Sequence, residues 1–95
     1  MDNSVAKVSS KELIALQSQL LKLSADIEEV SNAVEYGLKN LAENWRDNKY
    51  EEFKTEFQVV QNRIVEIAEK YKNWANQYLP PRIEGVQKAE NLNMS

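Results

Sequence analysis

Residues 13–41, LIALQSQLLKLSADIEEVSNAVEYGLKNL, carry an apolar side chain at every third or fourth position, through Leu13, Leu16, Leu20, Leu23, Ile27, Val30, Val34 and Leu41, with Gly37 the one exception. That spacing follows the 3.6-residue turn of an α-helix, and its length marks a helix that buries one side from end to end. A second run, Tyr50, Phe53, Phe57, Val60, Ile64, Ile67, Tyr71, Trp74 and Tyr78, repeats the spacing without a break. Two such runs predict an all-α fold built from two long helices.

Both runs are bounded by start and stop chemistry. Ser9, followed three residues later by Glu12, forms a capping box, in which each side chain takes one unpaired amide of the first turn. Asn48 with Glu51 repeats it, and Asp47 is an acceptable cap one residue earlier. Pro80-Pro81 is expected to end the second helix, because proline has no amide to donate and its ring clashes with the preceding turn. Glu35 with Lys39 and Glu66 with Lys70 stand at the i,i+4 spacing of solvated ion pairs.

Between the runs lie Asn44, Trp45, Arg46, Asp47 and Asn48, a connection of the length that joins antiparallel neighbours. The chain therefore reads as an antiparallel two-helix hairpin over residues 9–79, with helix one over about 10–43, a turn over 44–48 and helix two over about 49–79. Residues 1–8 and 80–95 read as flexible ends. Centring the turn near Arg46 pairs residues whose numbers sum to about 92. Trp74 then lies against Leu16 and Leu20, Ile64 against Ile27 and Val30, and Phe53 and Phe57 beside Gly37. A mid-helix glycine costs up to about 1 kcal/mol relative to alanine. The expectation is that its missing side chain makes room for the two rings, so that Gly37→Leu would overpack the hairpin.

Further apolar residues lie beside the stripes. A lone hairpin cannot cover both of its flanks, so Ile14, Leu21, Leu38, Val59, Val65 and Leu79 are candidate interface residues for a second hairpin, giving a dimeric four-helix bundle. The alternative is that the C-terminal segment folds back over one flank.

Composition narrows the function. With 95 residues there is room for one domain, and folding at this size buries only about 60–65% of the unfolded chain's surface, so association is expected from size alone. Cysteine and histidine are absent, which removes disulfides, thiolate and imidazole metal sites, and Ser-His or Cys-His catalysis. Twelve basic against fifteen acidic residues form no basic stripe, and nucleic acid is not an expected partner. The longest apolar run, residues 13–16, is far short of the roughly 20 residues that span a bilayer. No apolar signal-peptide core follows Met1, so the expected location is the cytoplasm, or the outside by a route without a cleavable signal.

Carboxylates are the only abundant catalytic type. Glu28-Glu29 and Glu51-Glu52 are adjacent, hence about 100° apart on a helix, and none of the eighteen stripe positions is acidic. No inward acid–base pair or metal site follows. Gly37 and Gly85, the only glycines, make no phosphate loop. Tyr50, Tyr71 and Tyr78 keep stripe spacing and read as packing residues. Neither a catalytic residue, a metal nor a cofactor is expected.

The connection NWRDNKYEEF, residues 44–53, sets a tryptophan at the hairpin tip with Tyr50, Phe53 and Phe57 following it. In this, in length and in its two helices, the chain resembles the W-x-G family of small proteins exported by type VII secretion, over about residues 9–79. The resemblance implies a homodimeric or heterodimeric four-helix bundle. The motif here reads Trp45-Arg46-Asp47, with aspartate in the glycine's place. Aspartate suits a turn by side-chain hydrogen bonding and by capping the next helix. Family members often carry a tyrosine four residues before an acidic one as an export signal, whereas here Tyr71 is followed at that distance by Ala75 and Tyr78 by Arg82. A partner chain supplying the tail, a different export signal, or an unexported relative would each fit.

The resulting expectation is a small non-enzymatic protein, secreted or associated with secretion, that acts by contact with itself or a related hairpin, and with the secretion machinery. The alternative is an intracellular adaptor or chaperone for a secreted toxin or effector, docking on the toxin's helical N-terminal region.

Overall fold

The computed structural model describes residues 8–45 and 47–94, and the elements among them are all helical: α1 (Ser10–Ala42), α2 (Asn48–Asn73), a π-helical segment (Trp74–Tyr78) and α3 (Leu79–Met94). Apart from Val8, the N-terminal segment expected to be flexible lies outside the described residues, as does Arg46.

Local chemistry starts each helix where the sequence places it, within a residue. Ser9 Oγ accepts from the Glu12 N–H at 3.1 Å while the Ser9 N–H donates to Glu12 Oε1 at 3.0 Å, completing the capping box. Asp47, not Asn48, caps α2: its backbone is extended, at φ −120° and ψ −179°, and its Oδ1 accepts from the Tyr50 N–H at 3.1 Å. The turn between them closes with the Asn44 and Trp45 N–H groups donating to the Leu41 carbonyl at 3.1 and 3.0 Å. The ion pairs among the described residues are Lys22 with Asp26 at 2.9 Å and Lys49 with Glu52 at 3.8 Å. The expected pairs Glu35–Lys39 and Glu66–Lys70 are not among them.

The arms run antiparallel and are bridged by polar side chains every seven residues along α1. Gln61 Nε2 donates to the Ser31 hydroxyl and, at 3.2 Å, to its carbonyl. Ser24 Oγ donates to the Ala68 carbonyl and Gln17 Nε2 to the Ala75 carbonyl, both at 2.8 Å. In all three the residue numbers sum to 92, the register expected from the turn. At the open end Ser10 donates to Glu90, from its N–H at 2.9 Å and from its hydroxyl at 2.6 Å.

The seam itself differs from the expected core. Its most buried positions are Ala75, Ala68, Ser24, Gln61 and Ser31, at 0–6% exposure. Of the two apolar stripes, Leu13, Leu20 and Ile27 and, from α2, Tyr50, Phe57, Ile64 and Tyr71 are buried or half-buried. Leu16, Leu23, Val30, Val34 and Leu41 are exposed, as are Phe53, Val60, Ile67, Trp74 and Tyr78. The physical reason is that one neighbouring helix covers only one edge of a wide apolar side. Small residues occupy that edge, where they let the helix axes approach, and the large side chains turn to the adjoining edge.

Gly37 also departs from expectation. A side chain added there would meet nothing within 4 Å, so the glycine makes no room for Phe53 and Phe57 inside the hairpin. Gly37 lies instead on the exposed edge, in step with Val30.

The second helix does not stop at the prolines, and residues 80–94 are helical rather than a flexible tail. Leu79 N–H reaches back five residues to the Trp74 carbonyl, so the backbone widens into a π turn just before Pro80. Widening relieves the clash between a proline ring and the carbonyl four residues earlier. It also displaces the acceptor pairing: Ala75's partner five residues on is Pro80, which has no N–H, and Gln17 supplies the missing donor. α3 then packs on the N-terminal part of α1, burying Leu79 and Ile83, instead of folding back over a flank.

The molecule measures 70 × 24 × 16 Å with a radius of gyration of 20.8 Å, against about 12 Å for a compact chain of this length. Its thin dimension is a single layer of helix.

Candidate functional site

One broad face of this layer carries the large apolar side chains that the seam excludes. Along its middle, Ile27, Val30 and Val34 of α1 and Phe57, Val60 and Ile67 of α2 line a groove of about 480 Å³, and Ile64 lies in its floor with Ser31 and Gln61. Asp26 is the charged residue at its edge. Toward the open end, Leu16, Leu20, Trp74, Tyr78 and Leu79 line a second groove of about 400 Å³. Val30 and Val60, at the centre, are 60% and 55% exposed. The stripe is long, continuous and apolar, with its large side chains open to solvent.

At the turn, a series of aromatic contacts leads onto that face. The half-buried Trp45 ring meets Tyr50 edge-on at 5.5 Å and stacks on Phe53 at 6.0 Å, and Phe53 lies 6.1 Å from Phe57. Tyr71 and Trp74 make a second edge-on pair at 5.5 Å toward the other end. Ring pairs of this geometry contribute about 0.5–1.5 kcal/mol each beyond their buried area. Trp45 therefore joins the tip to the open face, and Asp47 starts α2 beside it.

The flank residues singled out from the sequence fall elsewhere. Leu79 is buried and Leu38 half-buried within the hairpin. Ile14, Leu21, Val59 and Val65 are exposed, but Ile14, Leu21 and Val65 follow seam residues on the side away from Val30 and Val60, and Val59 sits on the outer side of α2. The open face is built from residues that sequence reading assigned to the core. A signal for this lay in the second seven-residue series, Ser10, Gln17, Ser24 and Ser31, with Gln61, Ala68 and Ala75 opposite.

The Ser10 hydroxyl and amide hold the Glu90 carboxyl below its usual range, and hydrogen bonding to Asp26 raises the Lys22 ammonium. Among the described residues no group of acidic side chains is placed to hold a metal ion, and no helix is long and apolar enough to cross a membrane.

Neither a family model, nor a curated protein, nor a solved structure matches this chain.

Proposed function

We propose that the chain works by contact rather than by chemistry: a small non-enzymatic protein of the W-x-G type, secreted or associated with secretion, whose open face pairs with a second helical hairpin to form a four-helix bundle. The observation that carries this reading is the division of side chains, small and polar in the hairpin's own seam and large and apolar on one exposed face. The chain exposes 7742 Å², whereas a compact monomer of 11.0 kDa exposes about 5,600 Å². The excess, roughly 2,000 Å² per chain, falls in the range that obligate dimers bury.

Sedimentation equilibrium tests it. The wild-type chain should sediment at twice 11.0 kDa, or with a co-expressed hairpin partner, and Val30→Glu with Val60→Glu should return it to a folded monomer. A wild-type chain that stays monomeric to millimolar concentration and melts no higher than the double variant would sink the proposal.

The same face would accept an amphipathic helix of a toxin or effector, which is the intracellular adaptor reading. Partition of a tagged copy between cells and medium separates the two. Export that depends on the secretion ATPase and is lost in a folded Trp45→Ala variant favours the W-x-G reading, and strict retention favours the adaptor.

A further inference from the structure

We propose that α3 is a hinged strap: it swings on the π turn as a unit of its own, the Glu90 carboxylate latches it to the start of α1, and its position sets how far the apolar face extends toward the open end. The inference stands on the packing of α3 and not on what pairs with the open face.

The seam marks the hinge. On α2 its buried positions recur every seven residues, at Gln61, Ala68 and Ala75, and the next step would be Arg82. The π turn inserts one residue. The series therefore resumes eight residues on, at the buried Ile83, with the half-buried Glu90 seven further, while Arg82 is exposed. Backbone continuity is weakest at the same place. Pro80 and Pro81 bring no N–H to the helix, the Leu79 N–H reaches back five residues to the Trp74 carbonyl, and the Ala75 carbonyl is held from α1 by Gln17. Prolines and π turns are where helices bend.

The strap is lightly held. Its 16 residues are close to the lower limit for a helix that persists alone. Its buried apolar side chains are Leu79 and Ile83, with Val86 half-buried. Gly85 weakens the helix further, although a side chain there would meet nothing within 4 Å and the backbone has no positive φ to accommodate. A polar tie is added by Glu90, which accepts the Ser10 N–H at 2.9 Å and the Ser10 hydroxyl at 2.6 Å, both bonds assisted by its charge. α1 does not need that carboxylate in order to begin, because Ser9 and Glu12 already close its capping box. The contact serves instead to hold α3.

What α3 covers gives the strap its consequence. Leu79, its first residue, lines the open-end groove with Leu16, Leu20, Trp74 and Tyr78, and Ile83 and Val86 follow it along the side turned to α1. With the strap shut, the apolar face ends at Leu79. With it open, Ile83, Val86 and the α1 surface beneath them join the exposed stripe.

Hydrogen exchange of the full-length chain, followed amide by amide at one protein concentration, tests the strap. The amides of residues 84–89 should open together, about tenfold or more faster than the seam amides of Ser24 and Ala68. Glu90→Ala should speed α3 exchange roughly tenfold further, and Ser10→Ala about threefold, with Ser24 and Ala68 unchanged. Glu84→Ala, on the exposed side of α3, should change neither, and Gly85→Ala should slow α3 exchange about fivefold. Binding of an apolar fluorescent dye should rise in Glu90→Ala and not in Glu84→Ala. Exchange of α3 at the rate of the seam, with Glu90→Ala speeding both alike, would reveal one cooperative unit and overturn the strap. Unchanged α3 exchange in Glu90→Ala overturns the latch, and an unchanged dye signal in a variant whose α3 has opened overturns its control of the apolar face.

Discussion

Ala68→Leu tests which edge of α2 closes the hairpin. Ala68 is 1% exposed, and its carbonyl accepts the Ser24 hydroxyl at 2.8 Å across the seam. Leucine adds three carbons where no space is open, and overpacking of this kind costs about 1–3 kcal/mol. If the arms part to admit it, the buried Ser24 hydroxyl and Ala68 carbonyl lose each other, which adds about 1 kcal/mol. Helix propensity does not compensate, since leucine is slightly poorer than alanine. For a domain of this size each kcal/mol lowers the melting temperature by about 4–8 °C, so the total of roughly 2–4 kcal/mol predicts a fall of about 8–32 °C. Thermal unfolding followed by circular dichroism at 222 nm measures it, with Ala25→Leu on the exposed outer side of α1 as a control expected to move by only a few degrees. The seam is intramolecular, and wild type and variants are compared at one protein concentration so that association enters each alike. An Ala68→Leu protein as stable as the wild type would refute the seam and return the core to the large-residue stripe.

Gln17→Leu should cost about 1–3 kcal/mol despite its added hydrophobicity, because the buried Ala75 carbonyl, already without a backbone partner ahead of Pro80, loses its donor; urea denaturation against a Gln19→Leu control measures it. Asp47→Ala should cost about 0.5–2 kcal/mol by uncapping α2, whereas Asp47→Gly should cost only a few tenths, and the same denaturation assay compares them. The Glu90 carboxyl is depressed by Ser10, so its contribution is complete above the ordinary carboxyl pKa of about 4.3 and is lost as pH falls through the lowered value. The wild type should therefore melt above Glu90→Gln at neutral pH, and the difference should vanish at strongly acid pH.

Sequence reasoning read the hairpin well and its faces less so, and particular residues show why. Caps and register are local matters: Ser9 with Glu12, Asp47, and a five-residue turn suffice to place the helices and to set Ser31 against Gln61. Which edge of a helix meets its neighbour is a tertiary matter, and the heptad signal follows the largest apolar residues. In this chain those residues, Leu16, Val30, Val60 and Ile67, lie on the outer face, while the seam is closed by Ser24 and Ala68, whose small size gives no hydrophobic signal. The prolines misled for a related reason. A proline rule assumes a regular α-helix before it, and the π turn at Trp74–Tyr78 removes the clash on which the rule rests.

The aspartate at the turn follows the same logic. A glycine in that place is useful where the backbone needs positive φ, but no described residue has one, and position 47 is extended at φ −120°. At such a backbone angle glycine has no conformational advantage, and aspartate adds a hydrogen bond to the first turn of α2 that glycine cannot make. Trp45-Arg46-Asp47 thus keeps the tryptophan against Tyr50 and Phe53 while starting the next helix through its own side chain. The hairpin is complete with small and polar residues in its seam and a cap at its tip, which leaves the large apolar side chains on one open face.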